Sequence, residues 1–524
     1  MSKLLNGNEV AQHASRDSCW VIVSGKVYDV TDYLEKHPGG AQILLQYGGK
    51  DATAMYEPIH PPGTIERSLP QDKHLGPVDP ATVSSLATPQ VTRDLDKMAR
   101  IPLAHCMNLD DVEKAATRII PHSAYVYFSS AADSLGSLTN NRQDWKKVTL
   151  RPRVMRNVRR VDMTRTMLGT KSRLPFFIAP AARARLVHED GELCLARGAA
   201  RRGIPYCPST YSTVPHDELM QCLVAEKKKV RFRNFGAEDG GTLWFQLYVA
   251  HEKARTLELV AMARDLGYKA LVITVDTPVV GKREEDERYR AELATASGDN
   301  SVLTEWYKPA NEDDENSPPL RGHHSSTLNW DDLPWIREAW RQGREDAGPI
   351  AIKGIQTAED AALAVYEHGV DAIYLSNHGG RQCDDAPSSI RTLLEIRKFY
   401  PELLKRTEIY LDGGVRRGAD VIKALCLGAR GVSLGRPFMY SVAMGDEGVA
   451  KVIQLLSEEI ETTMRCMGVT SLDQLNPSFV NTKVLEMEIP DRLVGGDDDS
   501  GAEYAREDLK ESAKVGTVYE LIIL

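Results

Sequence analysis

The sequence predicts two folded domains: a small α+β domain at the N-terminus and a larger α/β domain built as a (β/α)8 barrel. The length of 524 residues exceeds that of one ordinary domain. A compact, strand-rich segment occupies residues 1–78, whereas from about residue 175 short apolar runs alternate with amphipathic helical stretches. Such an alternation indicates repeated βα units.

The composition excludes several classes of protein. Hydrophobic residues make up 42% of the chain and charged residues 27%, which are ordinary globular values. The formal net charge of -9 argues against nucleic-acid binding and favours basic protein partners or no protein partner. The eight cysteines form no CxxC pair, so we expect reduced thiols. No apolar run is long enough to span a bilayer and no signal peptide is visible, which predicts a soluble, cytoplasmic protein.

The first domain is expected to cover residues 1–78. Its stretch "CWVIVSGKVYDVTDYL" alternates apolar and polar residues around an "SGK" turn, a pattern typical of a β-hairpin, and short helical pieces follow. Residues 76–94 are rich in Pro, Ser and Thr and have no periodicity. We therefore place a linker at residues 79–104.

The larger domain is expected to cover residues 105–490. Its predicted strands are "FFIAPAA", "IPYCPS", "WFQLYV", "ALVITVD", "PIAIKGI", "AIYLSN", "IYLDGG" and "GVSLGRP". Eight strands alternating with helices indicate a (β/α)8, or TIM, barrel, in which functional groups lie at the C-terminal ends of the strands. A doubly wound open sheet is the alternative, but no GxGxxG follows the first strand.

Two segments do not fit the barrel pattern. Residues 291–326 are polar and are expected to be a mobile insert, either a lid or a disordered loop, with His323 and His324 solvated rather than bound to a metal. Residues 491–524 begin acidic and end apolar, so they form either a tail that docks on a neighbouring subunit or a disordered tail.

Two histidines of the first domain precede prolines: His37 in "EKHPGG" and His60 in "EPIHPP". A lone "HPGG" is most often only a turn. Two such turns on either side of the apolar stretch "AQILLQYGGKDATAMY" suit a flat macrocycle whose iron takes both imidazoles. Bis-histidine ligation leaves no open position on the iron, so the group transfers single electrons. The segment resembles the cytochrome b5 family over its whole length, which implies haem b.

Gly-rich turns end the seventh and eighth predicted strands, in "LDGGVRRG" and "SLGRP". Barrels bind phosphate at this place through backbone N–H groups, and Arg416 and Arg436 would add charge-assisted contacts. A phosphate-bearing cofactor is therefore expected. Lys353 ends the fifth strand and offers a fixed positive charge to a cofactor that becomes anionic on reduction, such as a flavin.

The sixth strand ends in "SNHGGRQCD", which brings His378 and Arg381 to the same end of the barrel. The planar guanidinium of arginine suits a substrate carboxylate. A histidine assisted by a carboxylate such as Asp276 accepts the proton of a substrate hydroxyl. These residue types together indicate oxidation of a 2-hydroxy acid.

Residues 105–490 resemble the FMN-dependent L-2-hydroxy-acid dehydrogenase and oxidase family in "LSNHGGRQCD" and "LDGGVRRGADVIKALCLGARGVSLGRPF". By position, the resemblance implies His378 as the catalytic base, assisted by Asp276. It implies that Arg381 and Tyr127 hold the substrate carboxylate and that Tyr248 contacts the reacting hydroxyl. The α-hydrogen leaves either as hydride or as a proton followed by electrons.

The same resemblance implies that Arg283, in "VVGKRE", reaches the active site and that Lys353 lies beside the flavin. The residues implied in FMN binding are Ala179, Pro180, Ala181, Ala182, Ser209, Gln246, Thr274, Lys353, Asp412, Gly413, Gly414, Val415, Arg416, Gly435 and Arg436. It further implies a homotetramer and, with the haem domain, transfer of single electrons to cytochrome c. L-Lactate is the first expected substrate.

The sequence departs from the family pattern at three places. "YFSSAAD" replaces "YYASGA", so Ala131 stands where the family has glycine and a slightly altered backbone is expected. "PAAR" replaces "PTAM" and places Arg183 near the flavin, with Arg185 two residues on. We expect Arg183 to retune substrate choice, to lower the rate or to point to solvent. Tyr211 occupies a position that lines the substrate pocket in the family, so the sequence does not determine which side chain the pocket accepts at C2 of the substrate.

Two other functions remain open. An oxidase would pass electrons from flavin to dioxygen, although a six-coordinate haem would then be redundant. A non-catalytic haem electron-transfer protein would have lost turnover through Arg183, although the other site residues are intact. Proteins that resemble this architecture also occur in the mitochondrial intermembrane space, which is the alternative location if a presequence has been removed.

Overall fold

The computed structural model describes residues 4–37, 40–60, 63–83, 101–230, 240–296, 321–322, 324–342, 344 and 347–493. The chain divides after Met487, and the unit before this point contains both the N-terminal domain and the barrel. Most of the predicted linker, the centre of the predicted insert and nearly all of the predicted tail lie outside the described residues. A search of the described helices finds none with the length and apolar character of a membrane span.

The N-terminal domain is built on a four-stranded antiparallel sheet. In sheet order its strands are β1 (Ala14–Ser15), β2 (Ser18–Val23), β3 (Lys26–Asp29) and β4 (His74–Pro77). The predicted hairpin joins β2 to β3 through Ser24 and Gly25, which both have positive φ, as a two-residue type I′ turn requires.

Apolar residues pack on both faces of this sheet. Alternate residues of β2 point to opposite sides and so contribute to both clusters. Ile22 packs with Val10 and Val27 on one face, and Val21 and Val23 join a larger apolar cluster on the other. The short helices of the domain are α1 (Gly7–Val10), α2 (Ala41–Gln46), α3 (Thr53–Tyr56) and α4 (Thr64–Ser68).

Three helices precede the barrel: α5 (Leu109–Thr117), α6 (His122–Ser129) and α7 (Gly136–Lys147). The side chain of Asn108 accepts hydrogen bonds from the first backbone N–H groups of α5, which explains where that helix starts. After β5 (Thr149–Leu150), a hairpin of β6 (Arg165–Met167) and β7 (Thr170–Ser172) inserts Met167 and Leu168 into the apolar interior of the barrel.

Seven parallel strands form the barrel sheet, in the spatial order β8, β14, β13, β12, β11, β10, β9. In chain order they are β8 (Phe176–Ile178), β9 (Phe245–Leu247), β10 (Leu271–Thr274), β11 (Ile350–Ile355), β12 (Ala372–Leu375), β13 (Glu408–Leu411) and β14 (Gly431–Leu434). They are buried on both faces, which explains why they are continuous apolar runs in the sequence.

The remaining predicted strand, "IPYCPS", closes the barrel through isolated bridges. Tyr206 pairs with Ile178 on one side and with Leu243 on the other. Pro205 and Pro208 flank this position and have no N–H to donate, so a continuous ladder cannot form. The (β/α)8 prediction is therefore confirmed, with one strand reduced to bridges.

Helices surround the barrel and follow its strands as predicted. Within the described residues they are α8 (Glu192–Arg202), α9 (His216–Lys229), α10 (Lys253–Asp265), α11 (Glu284–Ala296), α12 (Leu333–Arg341), α13 (Ala358–Tyr366), α14 (Ser389–Phe399), α15 (Leu403–Arg406), α16 (Gly418–Cys426), α17 (Arg436–Val442), α18 (Gly445–Cys466) and α19 (Lys483–Glu486). A short strand, β15 (Val480–Asn481), pairs with β5.

Candidate active site and haem site

The predicted catalytic residues meet at the C-terminal end of the barrel. The strands β9, β10, β11 and β12 are neighbours in the sheet, so the residues at their ends lie side by side. Tyr248 follows β9, Asp276 follows β10, Lys353 lies in β11 and His378 follows β12.

His378 and Asp276 form the central pair of the site. Nδ1 of His378 lies 2.8 Å from Oδ1 of Asp276, and the hydroxyl of Thr277 donates to the same carboxylate oxygen over 2.9 Å. Because Nδ1 donates to the carboxylate, Nε2 is the basic nitrogen. Oη of Tyr248 lies 3.4 Å from this Nε2, so both groups face the place of a reacting hydroxyl.

Electrostatics keep Asp276 ionised and His378 neutral. Burial raises the pKa of Asp276, but the charges of His378 and Lys353 and two side-chain hydrogen bonds outweigh burial and hold this pKa at about 2. Burial lowers the pKa of His378 below its usual 6.5, and Asp276 opposes this shift. A neutral, oriented imidazole beside a fixed carboxylate has the properties of a general base.

The backbone around His378 is unusual. His378, Gly379 and Gly380 have φ of +56°, +67° and +75°, a region that residues with a side chain rarely adopt. The N–H of His378 donates to Oγ of Ser376 over 3.0 Å, and Nζ of Lys353 donates to the same oxygen over 2.8 Å. These bonds hold a strained turn that directs the imidazole into the site.

Positive charge surrounds Tyr127, which belongs to α6. The guanidinium groups of Arg183 and Arg381 lie 5.0 Å and 5.2 Å from the centre of its ring. Burial raises the pKa of Tyr127, but the charges of Arg183, Arg381 and Arg283 outweigh burial and lower it. Nε of Arg283 is buried without a hydrogen-bond partner among the described residues. This arrangement fits an incoming carboxylate.

The C-terminal end of α6 fixes the position of Arg381. Its Nη1 donates to the backbone carbonyls of Tyr127 and Ser130 over 2.9 Å and 2.8 Å. Ala131, which replaces a glycine of the family pattern, is buried and is not among the described residues with positive φ. The alanine therefore fits this backbone without strain.

Arg183 does not point to solvent, so that sequence-based expectation is wrong. Its guanidinium lies over the ring of Tyr127 because the residue adopts a left-handed conformation with φ of +67°. Its charge also contributes, after burial, to the lowered pKa values of His37 and His60. Arg183 thus acts electrostatically on both the substrate pocket and the histidines of the N-terminal domain.

The residues predicted to hold the flavin ring form a buried polar group. Nζ of Lys353 lies 3.9 Å from Asp276 and 3.6 Å from Asp412. Nε2 of Gln246 donates to Oγ1 of Thr274 over 3.0 Å. Oδ1 of Asp412 is buried without a hydrogen-bond partner among the described residues. A buried cation, amide and hydroxyl beside an unpaired acceptor fit the polar edge of a flavin.

The two Gly-rich turns differ in the space around their glycines. Gly413 and Gly414 have φ of +90° and +74°, and a Cβ on Gly414 would lie 1.8 Å from the carbonyl oxygen of Asn141. A Cβ on Gly435 would instead meet only Cβ of Ala179, at 3.9 Å. The space next to Gly435 is therefore open, which fits a phosphate group.

The guanidinium groups of Arg416 and Arg436 have protein partners. Arg416 donates to Asp110 over 2.6 Å and 2.9 Å, and Arg436 donates to the carbonyls of Phe128 and Gly379 over 2.9 Å each. Their contact with a phosphate stays a prediction. The other predicted flavin-binding residues lie in loops at this end of the barrel: Ala179, Pro180, Ala181, Ala182, Ser209 and Val415.

Glu192 is a site residue that the sequence did not reveal. It is fully buried, and its Oε1 accepts the backbone N–H groups of Ala184 and Thr213 over 3.1 Å each. It thus joins the loop that carries Arg183 to the loop that carries Tyr211. Its only sequence signal is a place in the first turn of α8, where acidic residues are common for other reasons.

His324 is buried, so the expectation that it is solvated is wrong. Only 6% of its surface is exposed, because its ring packs face to face on Tyr248. The polar composition of the surrounding segment concealed this contact. His323 lies outside the described residues.

His37 and His60 face each other, with ring centres 6.0 Å apart. Nδ1 of each ring lies close to a backbone carbonyl, that of Gly40 at 3.2 Å and that of Tyr56 at 3.1 Å. The Nδ1–H groups donate there, which leaves Nε2 of each ring for a metal. Burial lowers both pKa values, that of His60 to about 4, so the rings are neutral, as ligands must be.

The rings of Tyr33 and Tyr56 lie against His37 and His60, in a domain whose partly buried apolar side chains fit a haem macrocycle. The partly buried ones packed against the core of the domain are Tyr33, Leu44, Leu45, Tyr47, Tyr56 and Ile65. The prolines and the glycine that directly follow His37 and His60 lie outside the described residues.

The chain belongs to the FMN-dependent dehydrogenase family, whose profile matches residues 116–482. The profile of cytochrome b5-like haem/steroid-binding domains matches residues 6–79. The protein is therefore an FMN-dependent oxidoreductase with a haem b domain in front of its barrel.

Known relatives match most of the chain. An L-lactate dehydrogenase (cytochrome) of Wickerhamomyces anomalus is 37% identical over 482 residues, or 90% of this chain and 79% of the relative. A glycolate oxidase of Spinacia oleracea is 36% identical over 71% of this chain and 95% of the relative. A solved flavocytochrome b2 mutant with pyruvate bound aligns with a TM-score of 0.62 and 33% identity, covering 77% of this chain and 92% of that one.

Proposed function

We propose that the protein oxidises L-lactate to pyruvate and passes the electrons through haem b to a one-electron acceptor, with cytochrome c as the expected one. The proposal rests on one observation: a single chain contains two sites. One is a histidine base 2.8 Å from its carboxylate partner, and the other is a pair of facing histidines in a haem-type domain.

The charges at the barrel end orient a 2-hydroxy acid. Its carboxylate meets two of the three positive groups around Tyr127, Arg381 and Arg283. The unpaired Nε of Arg283 is available as a donor. Its hydroxyl then lies between Nε2 of His378 and Oη of Tyr248. His378 accepts the hydroxyl proton at Nε2, and the adjacent carboxylate stabilises the imidazolium that forms.

Bound FMN supplies the two-electron acceptor for this oxidation, and haem b supplies a one-electron relay. Lys353 is only 4% exposed and holds its positive charge within the group of residues that fits the flavin. A cation at this place favours electron transfer out of the substrate, because it compensates the negative charge that reduction adds.

A dehydrogenase fits the chain better than an oxidase. The similarity to the glycolate oxidase of Spinacia oleracea covers 71% of this chain, whereas the similarity to the L-lactate dehydrogenase (cytochrome) of Wickerhamomyces anomalus covers 90%. Direct transfer to dioxygen would also give the facing histidines no role. A non-catalytic function is disfavoured because His378, Asp276 and Lys353 form one connected site.

The acceptor and the assembly belong to the same proposal. A formal net charge of -9 and a pI of about 5.9 favour a basic acceptor protein such as cytochrome c. Reduction of such an acceptor should slow as ionic strength rises, because salt screens the attraction. We further propose a homotetramer, which light scattering of the purified protein would test.

The first test is anaerobic stopped-flow spectroscopy of the holoprotein mixed with L-lactate. The flavin absorbance should bleach first and the bands of reduced haem should follow. Bleaching of the flavin without reduction of the haem would contradict the electron path. Bleaching only with another L-2-hydroxy acid would contradict the choice of L-lactate, and bleaching with none would contradict the enzymatic function.

A further inference from the structure

Three rings form a compact group next to His378: Tyr211, Tyr248 and His324, called the ring cluster below. The rings of Tyr248 and His324 are stacked, with centres 4.1 Å apart and planes 4° apart. Tyr211 lies against both, with its centre 5.5 Å from that of His324 and 5.6 Å from that of Tyr248. The cluster is therefore one continuous aromatic wall.

A polar contact links two members of the ring cluster. Oη of Tyr211 lies 3.2 Å from Nδ1 of His324, within hydrogen-bonding distance. Burial raises the pKa of Tyr211 to about 12, so its hydroxyl keeps its proton and is able to donate to Nδ1 in the tautomer that leaves Nδ1 unprotonated. The contact holds the ring of Tyr211, a residue that is 39% exposed at the edge of the site. Without it, the Tyr211 side chain would have more rotational freedom.

The backbone holds His324 in place on the barrel side. The N–H of Ser325 donates to the carbonyl of Val249, the residue after Tyr248, over 3.0 Å. Arg321, shortly before His324, forms an ion pair with Glu287 of α11. His324 is thus attached at the same strand end that carries Tyr248.

Each end of the ring cluster faces a different part of the substrate. Oη of Tyr248 lies 3.4 Å from the basic nitrogen of His378, at the reacting hydroxyl. Tyr211 lies one ring further out, in the loop that Glu192 joins to the loop of Arg183. In the orientation proposed above, a substituent on C2 of the substrate would extend away from the carboxylate, towards this outer ring.

We propose that His324 is a positioning residue that holds Tyr211 against Tyr248 and thereby restricts the C2 substituent of the substrate to a small group. The hydrogen bond to Tyr211 fixes the outer wall, and the stack on Tyr248 fixes the inner wall. The inference rests on the proposed oxidation of 2-hydroxy acids and adds a determinant of their size. Small substrates such as L-lactate are then selected over L-2-hydroxy-3-phenylpropanoate.

Two substitutions separate the hydrogen bond from the stack. His324→Asn places an amide oxygen near the position of Nδ1, so it keeps an acceptor for Tyr211 but loses the ring. His324→Phe keeps a ring on Tyr248 but loses the acceptor. The measurement is the ratio of kcat/KM for L-lactate to kcat/KM for L-2-hydroxy-3-phenylpropanoate, with the holoenzyme and a one-electron acceptor.

His324→Phe should lower this ratio about tenfold, whereas His324→Asn should keep it within about threefold of the wild-type value. An unchanged ratio in His324→Phe, or an equal loss in both variants, would overturn the proposal. Flavin reduction of the wild-type enzyme by L-lactate is measured first, because its absence would contradict the proposed function and not the role of His324.

A double-mutant cycle tests the contact itself. Tyr211→Phe removes the donor, so Tyr211→Phe and His324→Phe should each lower the ratio, and the double variant should lower it no further. Additive effects would mean that the two residues act independently, against the proposal. Dissociation constants of pyruvate and phenylpyruvate, from the perturbation of flavin absorbance, give the same comparison without turnover. Only phenylpyruvate should bind more tightly to His324→Phe.

Discussion

At the scale of single residues, the site depends on a buried carboxylate that remains charged. Burial alone would raise the pKa of Asp276 and neutralise it, and the charges of His378 and Lys353 prevent this. The carboxylate in turn fixes the tautomer of His378 and opposes the loss of basicity that burial causes. Removing the charge of Asp276 should therefore lower the rate of catalysis more than substituting a neutral neighbour does.

Asp276→Asn should lower kcat about 10²- to 10⁴-fold, because the amide neither stabilises the imidazolium nor fixes its tautomer. The measurement is the rate of flavin reduction by L-lactate in the stopped-flow instrument. Thr277→Val is the matched control, since Thr277 donates to the same carboxylate but carries no charge. A loss in Asp276→Asn no larger than that in Thr277→Val would contradict the role of the charge.

The pH dependence follows from the same pair. His378 acts in its neutral form and its pKa lies below 6.5, so kcat/KM should be constant at neutral pH and fall as pH decreases through that pKa. Asp276 raises this pKa, so Asp276→Asn should move the fall to lower pH. A profile that falls already between pH 7 and 8 would contradict a neutral base.

The positions of single residues could be predicted where they depend on strand ends. His378, Asp276 and Lys353 follow or end neighbouring parallel strands, and parallel strands bring such ends together. Arg416 and His324 show the limit of this inference. Arg416 is paired with Asp110, which lies 306 positions earlier, and His324 stacks on Tyr248, and no local pattern encodes either contact.

At the scale of elements, the loop after β12 is attached to the start of α7. The carboxylate of Asp384 accepts the backbone N–H groups of Ser134, Gly136 and Ser137 over 2.9 Å, 3.2 Å and 2.8 Å. Burial raises the pKa of Asp384, but hydrogen bonds from the N–H of Ser137, the hydroxyl of Ser134 and the N–H of Gly136 outweigh burial and hold this pKa at about 2. The loop that carries His378 is thus tied to a helix N-terminus, where negative charge is favourable.

Asp384→Asn should destabilise the protein by about 1–3 kcal/mol at pH 7, because an amide is a weaker acceptor for these N–H groups and lacks the charge. Unfolding in urea, followed by circular dichroism, measures the change. The exposed neighbour Asp385 is the matched control, since Asp385→Asn removes the same charge from the same loop. Equal destabilisation by both variants would show that the helix N-terminus is not the cause.

The pH dependence of this difference has a definite sign. The folded pKa of Asp384 lies below the ordinary value of 3.8, so its contribution to stability is complete above about pH 4 and is lost as pH falls towards 2. The wild-type protein and Asp384→Asn should therefore converge in stability in acid. The same gap at pH 2.5 as at pH 7 would contradict a charge effect.

The elements themselves were largely predictable. Apolar runs bounded by turn residues predicted the barrel strands, because strands buried on both faces need continuous apolar side chains. The run "IPYCPS" differs because Pro205 and Pro208 remove backbone donors and reduce the strand to bridges. The apolar pattern alone does not predict that the ladder is interrupted, whereas the two prolines do.

At the scale of the whole molecule, the chain combines a two-electron site with a one-electron site. The change in sequence pattern between the first 78 residues and the barrel predicted two domains, and the histidine pair and the barrel end predicted their chemistry. The sequence placed Arg183 near the flavin, but the contact of its guanidinium with the ring of Tyr127 was not predictable, since Arg183 adopts a left-handed backbone conformation that is rare for residues with a side chain. Its charge acts on Tyr127 and on both haem-domain histidines.

The two sites should be separable by a single substitution in the haem domain. His60→Ala removes one of the two facing imidazoles and leaves the barrel end unchanged, so haem b should be lost while flavin reduction by L-lactate persists. Reduction of cytochrome c should then stop, because the one-electron relay is missing. His74→Ala is the matched control: His74 belongs to the same domain and packs edge-on against Tyr28. It should retain the haem spectrum and cytochrome c reduction. Undiminished cytochrome c reduction in His60→Ala would mean that electrons leave the flavin directly, and the haem domain would then need a different role.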